Sequence, residues 1–326
     1  MVIFIYNALN LKERGGRFLE SIVVIKDVTK VIKGRTIIDN ISFEVNKGEV
    51  FGFLGPNGAG KTTTIRMIVG LMDITSGDIT IDGYSIASKF EDAVRHVGAI
   101  VENPEMYKFL SGYQNLVHYA RMVKGITKEK IDETVKLVGL SDRIHDKVKT
   151  YSLGMRQRLG LAQCLLHEPK VLILDEPTNG LDPAGIREIR DYIRRLARER
   201  NMAVIVSSHI LSEMEMMCDR IGIIQNGRLI DVQLIQEFVH GTNASFEFEV
   251  IPSEKAITLL KNNFPNIPVT PSRNGITMEL AKKEVPEMVK AFVEEEIQVF
   301  GIREVSKTLE DRFLEVTSDK GAIDHD

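Results

Sequence analysis

Apolar and polar positions divide this chain into a long region where strands alternate with helices and a shorter closing region with a different pattern. Apolar runs of strand length recur at 50–54, 78–82, 97–101, 171–175, 203–207 and 221–225, and the first credible strand begins near residue 21. Between the third and fourth of these runs lie about 70 residues that read mostly helical, from 115 to 166. Strands alternating with helices predict an α/β fold over 21–240, with a helical insertion at about 103–166. After His240 the rhythm changes. Positions 245–250 alternate as a strand, 253–261 read as a helix, 275–280 as a strand, 284–295 as a helix and 297–304 as a strand. That order, βαβαβ, predicts a small α+β accessory domain over 241–326. Its closing stretch, 309–315, has Leu309, Phe313 and Leu314 on one helical face. Residues 1–20 are polar and glycine-containing around K-E-R-G-G-R at 12–17, and read as a flexible extension or an over-called start of translation.

Composition narrows the setting. Of the 326 residues, 43% are hydrophobic and 27% charged, as in a globular protein. The formal charge of −4 gives no general attraction to nucleic acid, and no nucleic-acid partner is expected. The segment after His240 holds 16 acids against 10 bases, so the acidity sits there, in what reads as a solvated surface. No apolar run approaches the roughly 20 residues of a membrane-spanning helix. The apolar start at 1–5 is too short for a signal core and has no basic region before it. Cys164 and Cys218 fall on predicted helices without metal-ligand spacing and read as buried, reduced thiols.

The candidate chemistry begins at 55–63, G-P-N-G-A-G-K-T-T. Gly55, Gly60, Lys61 and Thr62 stand in the G-x-x-x-x-G-K-[ST] register of a nucleotide-phosphate loop. Gly55, Pro56, Asn57, Gly58, Ala59 and Gly60 would wrap the phosphates, with successive backbone N–H groups turned inward. Lys61 would reach the β- and γ-phosphates, the Thr62 hydroxyl would ligate Mg²⁺, and Thr63 would continue the helix whose positive end faces the anion. The strand at 49–54 and the helix at 63–70 supply the required context, so the chain is expected to bind a nucleoside triphosphate. Downstream, V-L-I-L-D-E at 171–176 is a buried strand that delivers two carboxylates at its tip. Asp175 would hold Mg²⁺ through water and Glu176 would polarise the attacking water.

Between these motifs, Y-S-L-G-M-R-Q-R at 151–158 resembles the signature sequence of ABC ATPases, L-S-G-G-Q followed by a basic residue, Gln and Arg. Ser152, Gly154, Gln157 and Arg158 match, while Tyr151, Leu153 and Met155 depart. The motifs stand in family order over roughly 22–240: phosphate loop, Glu102 region, signature, Asp175 and Glu176, Leu181 and Asp182, then His209. The chain thus resembles the nucleotide-binding subunit of an ABC transporter, in the branch that includes bacitracin-type drug exporters. This implies a P-loop NTPase fold of ABC type.

The resemblance also implies a mechanism. Two subunits would pack head to tail, each ATP lying between one phosphate loop and the other subunit's signature. Ser152 and the Gly154 backbone would donate to the γ-phosphate across that interface, and Asp182 would couple the two sites. His209 would contact the γ-phosphate and hold Glu176 and the water in line. Glu102 stands where the family usually has a Gln and would ligate Mg²⁺, or else serve as an exposed structural residue. Ile32 stands where an aromatic residue usually stacks on adenine, implying weaker and less base-selective binding. The aromatic residues of 106–113, Tyr107 and Phe109 among them, either form a groove for a short helix of a membrane subunit or pack their own subdomain.

The expected activity is ATP hydrolysis that powers transport, export by resemblance, through a separately encoded integral membrane permease. The subunit would lie on the cytoplasmic face of the membrane through that permease. Intact Glu176 favours a homodimer, though a heterodimer with an equally intact partner would read identically. The alternative is a soluble ABC ATPase acting on a macromolecule such as the ribosome.

Overall fold

In this computed structural model the described residues are 20–240, 244–264, 267–272, 275–305 and 313. The N-terminal extension expected at 1–20, Glu20 apart, and the helix expected at 309–315, Phe313 apart, lie outside them.

Two long strands, β1 (Ser21–Ile32) and β2 (Arg35–Asn46), pair antiparallel through a tight turn at Lys33 and Gly34, both at positive φ. β3 (Val50–Leu54) is buried at every position and runs into the glycine loop and α1 (Lys61–Ile68). β4 (Ser76–Ile81), β5 (Tyr84–Ser85), α2 (Phe90–Val94) and β6 (Val97–Ile100) follow. Next come three helices, α3 (Gly112–Ala120), α4 (Lys128–Leu137) and α5 (Leu153–Leu165), which form the helical insertion between β6 and the next strand. The chain returns through β7 (Val171–Asp175), α6 (Pro183–Arg200), β8 (Ala203–Ser208), α7 (Leu211–Met217), β9 (Arg220–Gln225) and β10 (Arg228–Leu234).

A six-stranded sheet in the order β10-β9-β3-β8-β7-β6 forms the centre, with β9, β3, β8, β7 and β6 parallel. β3, β7 and β8 are buried along their whole length, as parallel strands covered on both faces must be. The run expected at 78–82 is a strand but does not join this sheet. As β4 it pairs antiparallel with β1 in a separate sheet ordered β2-β1-β4-β5. The two sheets share one core, in which Phe43 of β2 stacks on Phe51 and Phe53 of β3 at centroid separations of 5.1 and 5.5 Å.

Compactness divides the chain after Val232, and a second unit begins at Gln233. The helix α8 (Ile235–His240), which precedes the boundary expected near 240, groups with this second unit. That unit continues with β11 (Ala244–Ile251), α9 (Ser253–Asn263), β12 (Val269–Ser272), β13 (Gly275–Leu280), α10 (Val285–Glu294) and β14 (Gln298–Val305). Its sheet is antiparallel in the order β12-β13-β11-β14. Phe246 and Phe248 of β11, Met278 of β13, Leu260 of α9 and Phe292 of α10 share its core. The expected βαβαβ order lacked β12. Pro271 has no N–H for a ladder and argues against a strand, yet the edge position of β12 tolerates it.

Both cysteines are buried and free, although Cys218 caps α7 rather than lying within it. Burial pushes the Cys164 thiol up to about 12 and raises that of Cys218 as well. At pH 8 the Cys164 thiolate fraction is then about 10⁻⁴. An aromatic disulfide reagent at that pH should find no fast-reacting thiol in the folded chain and two after unfolding. A stoichiometric reaction within the mixing time of the folded protein would contradict this burial.

Candidate functional site

Three turns leaving the same edge of the central sheet converge: one after β3, one after β7 and one after β8. Parallel strands bring their C-terminal ends to one side, which is where such sheets place ligands.

The first turn is 55–60. Gly60 caps α1 at φ 114, and a Cβ there would lie 2.4 Å from Ile38 Cδ1, so a side chain is excluded on both counts. Ala59 is buried: its N–H donates to the Pro56 carbonyl at 3.1 Å, and its own carbonyl accepts from Gly227 N at 2.9 Å. The Ala59 N–H is therefore committed within the loop. Asn57, Gly58, Gly60, Lys61, Thr62 and Thr63 line a cleft of about 360 Å³. Lys61 is buried and its ammonium folds back, donating to the Gly55 carbonyl at 2.6 Å and to that of Pro56 at 3.2 Å. Burial pulls the Lys61 pKa down, against the opposing pull of Glu176 and Asp175. A cation held at such a cost on neutral carbonyls is poised to take an anionic partner.

The second turn begins at Asp175, the buried last residue of β7. Ser207 Oγ on neighbouring β8 donates to Asp175 Oδ1 at 2.5 Å and accepts from Glu176 N at 3.0 Å. One hydroxyl thus ties the Asp175 carboxylate to the Glu176 backbone. Glu176 sits at φ 52, a left-handed conformation unusual for a non-glycine residue and concentrated at functional sites. Its Oε2 lies 2.7 Å from His209 Nδ1, which the third turn supplies just after β8. Glu176, His209 and Asn179 line the same cleft as the phosphate loop.

The remaining expected residues stand elsewhere. Ser152 caps α5, its Oγ accepting from Met155 N at 3.2 Å, and Gly154 follows in the first turn. A Cβ on Gly154 would meet only Leu181 Cδ2, at 3.9 Å, so that helix end is open. Leu153, a departure from the signature pattern, lies against Gly180, where an added Cβ would come within 3.1 Å of its Cδ2. Asp182 caps α6, accepting from Gly185 N at 3.1 Å. None of Ser152, Gly154 and Asp182 lines the cleft. Glu102, at φ 68, is mostly exposed and pairs with Arg66 of α1. Glu102 does not line the cleft, and its carboxylate meets the Arg66 guanidinium. Asn179, Ser207, Thr178 and Glu213 escaped the sequence reading. The S-S-H string before His209 was the signal for Ser207, but its partners stand more than 30 positions away.

Mg²⁺ fits this donor set. Among the described residues no cluster of three His, Cys, Asp or Glu forms a metal cage. The cleft instead offers the Thr62 hydroxyl, with the Asp175 carboxylate near Lys61. One carboxylate and one hydroxyl, completed by water and substrate phosphates, is how Mg²⁺ is usually held.

Comparison with known proteins agrees with this geometry. Residues 38–179 match the family described as ABC transporter. The chain is 61% identical to the uncharacterized ABC transporter ATP-binding protein YhcH of Bacillus subtilis (strain 168) over 308 residues, 94% of this chain and the whole of that protein. It is 39% identical to the bacitracin transport ATP-binding protein BcrA of Bacillus licheniformis, covering 91% of this chain and 98% of that one. Among solved structures, an ATP binding subunit of an ABC transporter aligns with a TM-score of 0.61 and 29% identity, over 67% of this chain and 92% of its own. A cleft that joins a phosphate loop to a carboxylate–imidazole pair, and relatives matched nearly end to end, lead to one assignment: the chain belongs to the ABC transporter family, as one of its ATP-binding ATPase subunits.

Proposed function

We propose that this ATPase subunit works as a Mg²⁺-dependent, head-to-tail homodimer that drives export of a membrane-active peptide antibiotic through a separate permease, from the cytoplasmic face of the membrane. The observation that carries the hydrolytic part is the 2.7 Å contact between His209 Nδ1 and Glu176 Oε2 at the mouth of the phosphate loop. Glu176 accepts a proton from water, His209 holds that carboxylate in place, and Lys61 leaves the Gly55 and Pro56 carbonyls for phosphate oxygens. When bound, Mg²⁺ on Thr62 and Asp175 neutralises charge on the phosphates. Among the described residues, those lining the cleft of one chain include neither Ser152 nor Gly154. Ser152 and the open N-terminus of α5 have the chemistry to donate to the γ-phosphate from a second copy.

Coupling to a permease is supported by the surface around the helical insertion. A second cleft of about 380 Å³ is lined by Val69, Leu71, Val101, Pro104, Tyr119 and Gln163, among others. Leu71, Phe109 and Met122 are exposed by 69, 68 and 65%. Tyr107 packs edge-on against His118, leaving Phe109 as the freer ring of the pair. A cleft with a mixed apolar and polar lining suits a short amphipathic helix. No described helix is long and apolar enough to cross a membrane. The cargo class is supported by the 39% identity to a bacitracin transport ATP-binding protein.

The test is genetic. Deleting the genes for this subunit and its permease should lower the inhibitory concentration of bacitracin-like peptides at least several-fold. Restoring both genes should rescue resistance, and restoring them with Glu176→Gln should not. Unchanged sensitivity across a panel of peptide antibiotics would exclude this cargo class.

A further inference from the structure

Glu176 and His209 belong to separate segments, one leaving β7 and the other lying between β8 and α7. Their contact in the cleft is half-exposed, with 46% of the His209 side chain open to solvent. A second link between the same two segments is buried. Thr178, two residues after Glu176, donates its hydroxyl to Glu213 Oε2, four residues after His209. Thr178 is 3% exposed and Glu213 is 6% exposed.

A carboxylate at that place is conspicuous in physical terms. Met214 and Met217 on the same short helix are buried apolar residues, and the position could have been filled likewise. A buried carboxylate oxygen needs a donor, and the Thr178 hydroxyl supplies it. Bonds of this type strengthen in a low-dielectric interior, and leaving one unmade there is costly. The helix that carries Glu213 is itself pressed onto the central sheet. A Cβ on Gly52 of β3 would lie 2.6 Å from Met214 Cε and 2.7 Å from Cys218 Sγ. Thr178 in turn organises its own segment, because its carbonyl accepts from Leu181 N at 3.1 Å and Asn179 N donates to the Glu176 carbonyl at 3.1 Å. One residue thus joins α7 to the turn that runs from Glu176 through Asn179 to Asp182.

We propose that Thr178 and Glu213 are positioning residues of the hydrolytic site: their buried hydrogen bond locks the turn bearing Glu176 and Asn179 to the helix that follows His209. The inference rests on the reading of Glu176 and His209 as the hydrolytic pair. Both ends of that pair are then set by one buried strap that does not line the cleft. The strap also fixes the turn that presents Asp182 toward a second subunit, so disturbing it disturbs turnover rather than nucleotide capture.

The experiment uses the full-length chain with Thr178→Val, which keeps the shape and removes the donor, and Thr178→Ser, which restores it. Steady-state ATPase is measured beside amide hydrogen exchange of peptides spanning 176–182 and 209–217. Thr178→Val should lower kcat by about tenfold, the effect of one lost polar contact, with the KM for ATP within about twofold. Exchange should rise in both peptides, and Thr178→Ser should recover both readouts. Glu213→Ala read in the same way replaces Thr178→Val if that variant does not fold, and the double variant should be no slower than the slower single one. Wild-type kcat in Thr178→Val, a raised KM at unchanged kcat, or faster exchange confined to 176–182 would each overturn the proposal. The exchange arm needs no turnover, so it decides even if the isolated chain hydrolyses slowly. Failure of the hydrolytic reading itself would appear separately, as normal turnover in Glu176→Gln.

Discussion

Glu176→Gln is expected to slow ATP hydrolysis by roughly 10²–10⁴-fold, the usual worth of a general base, while ATP still binds. The amide keeps the size of the side chain and can still contact His209 Nδ1, now 2.7 Å from Oε2, but it cannot take a proton from water. Lys61, the Gly55–Gly60 loop and Thr62 are untouched, so capture of the phosphates persists. If two copies close over the nucleotide, the variant should accumulate as an ATP-bound dimer because the step that releases it is blocked. The measurement is mass in solution with and without Mg-ATP. A shift from monomer to dimer only with Mg-ATP is the expected result. A variant that binds ATP yet stays monomeric would replace the homodimer with a site completed by another subunit. Near-normal hydrolysis would remove Glu176 from the mechanism altogether.

His209→Ala should cost turnover of the same order, roughly 10²–10⁴-fold, although the base remains present. The reason is geometric. Glu176 sits at φ 52 with its backbone N–H held by Ser207, and its carboxylate has one close side-chain partner in the cleft, the His209 ring. Without the imidazole the carboxylate is free to leave the cleft or to turn onto Lys61, whose ammonium already feels its charge. Residues that act as a unit are strongly non-additive, so Glu176→Gln combined with His209→Ala should be no slower than the slower single variant by more than a few-fold. Single-turnover hydrolysis measures this without interference from product release. Multiplying penalties in the double variant would mean that the two residues act independently, and the 2.7 Å contact would lose its mechanistic meaning.

Much of the fold and of the cleft can be read from the residues because their codes are local. Glycines at 55, 58 and 60 followed by Lys61 specify a loop and a helix start within nine positions. The apolar run before Asp175 specifies a buried strand tipped with acid. Ser152 and Asp182 are good N-cap residue types at helix starts, and each caps its helix. Other features depend on residues far apart in the chain. Strand propensity does not say which sheet a strand joins, so β4 reads like a central strand but pairs with β1. Pro271 argues against a strand until the position of β12 at a sheet edge is known. Glu102 pairs with Arg66, 36 positions earlier, a partner that no local pattern names. Ser207 joins Asp175 to Glu176 across two strands, and Thr178 meets Glu213 across 35 positions. The sequence by itself determined that this chain holds a nucleotide and carries the acids to hydrolyse it, because those motifs are contiguous. Only the tertiary structure decided which carboxylate faces the cleft, which is neutralised elsewhere and which is buried as a brace, because a carboxylate's role is set by the donors that packing brings against it.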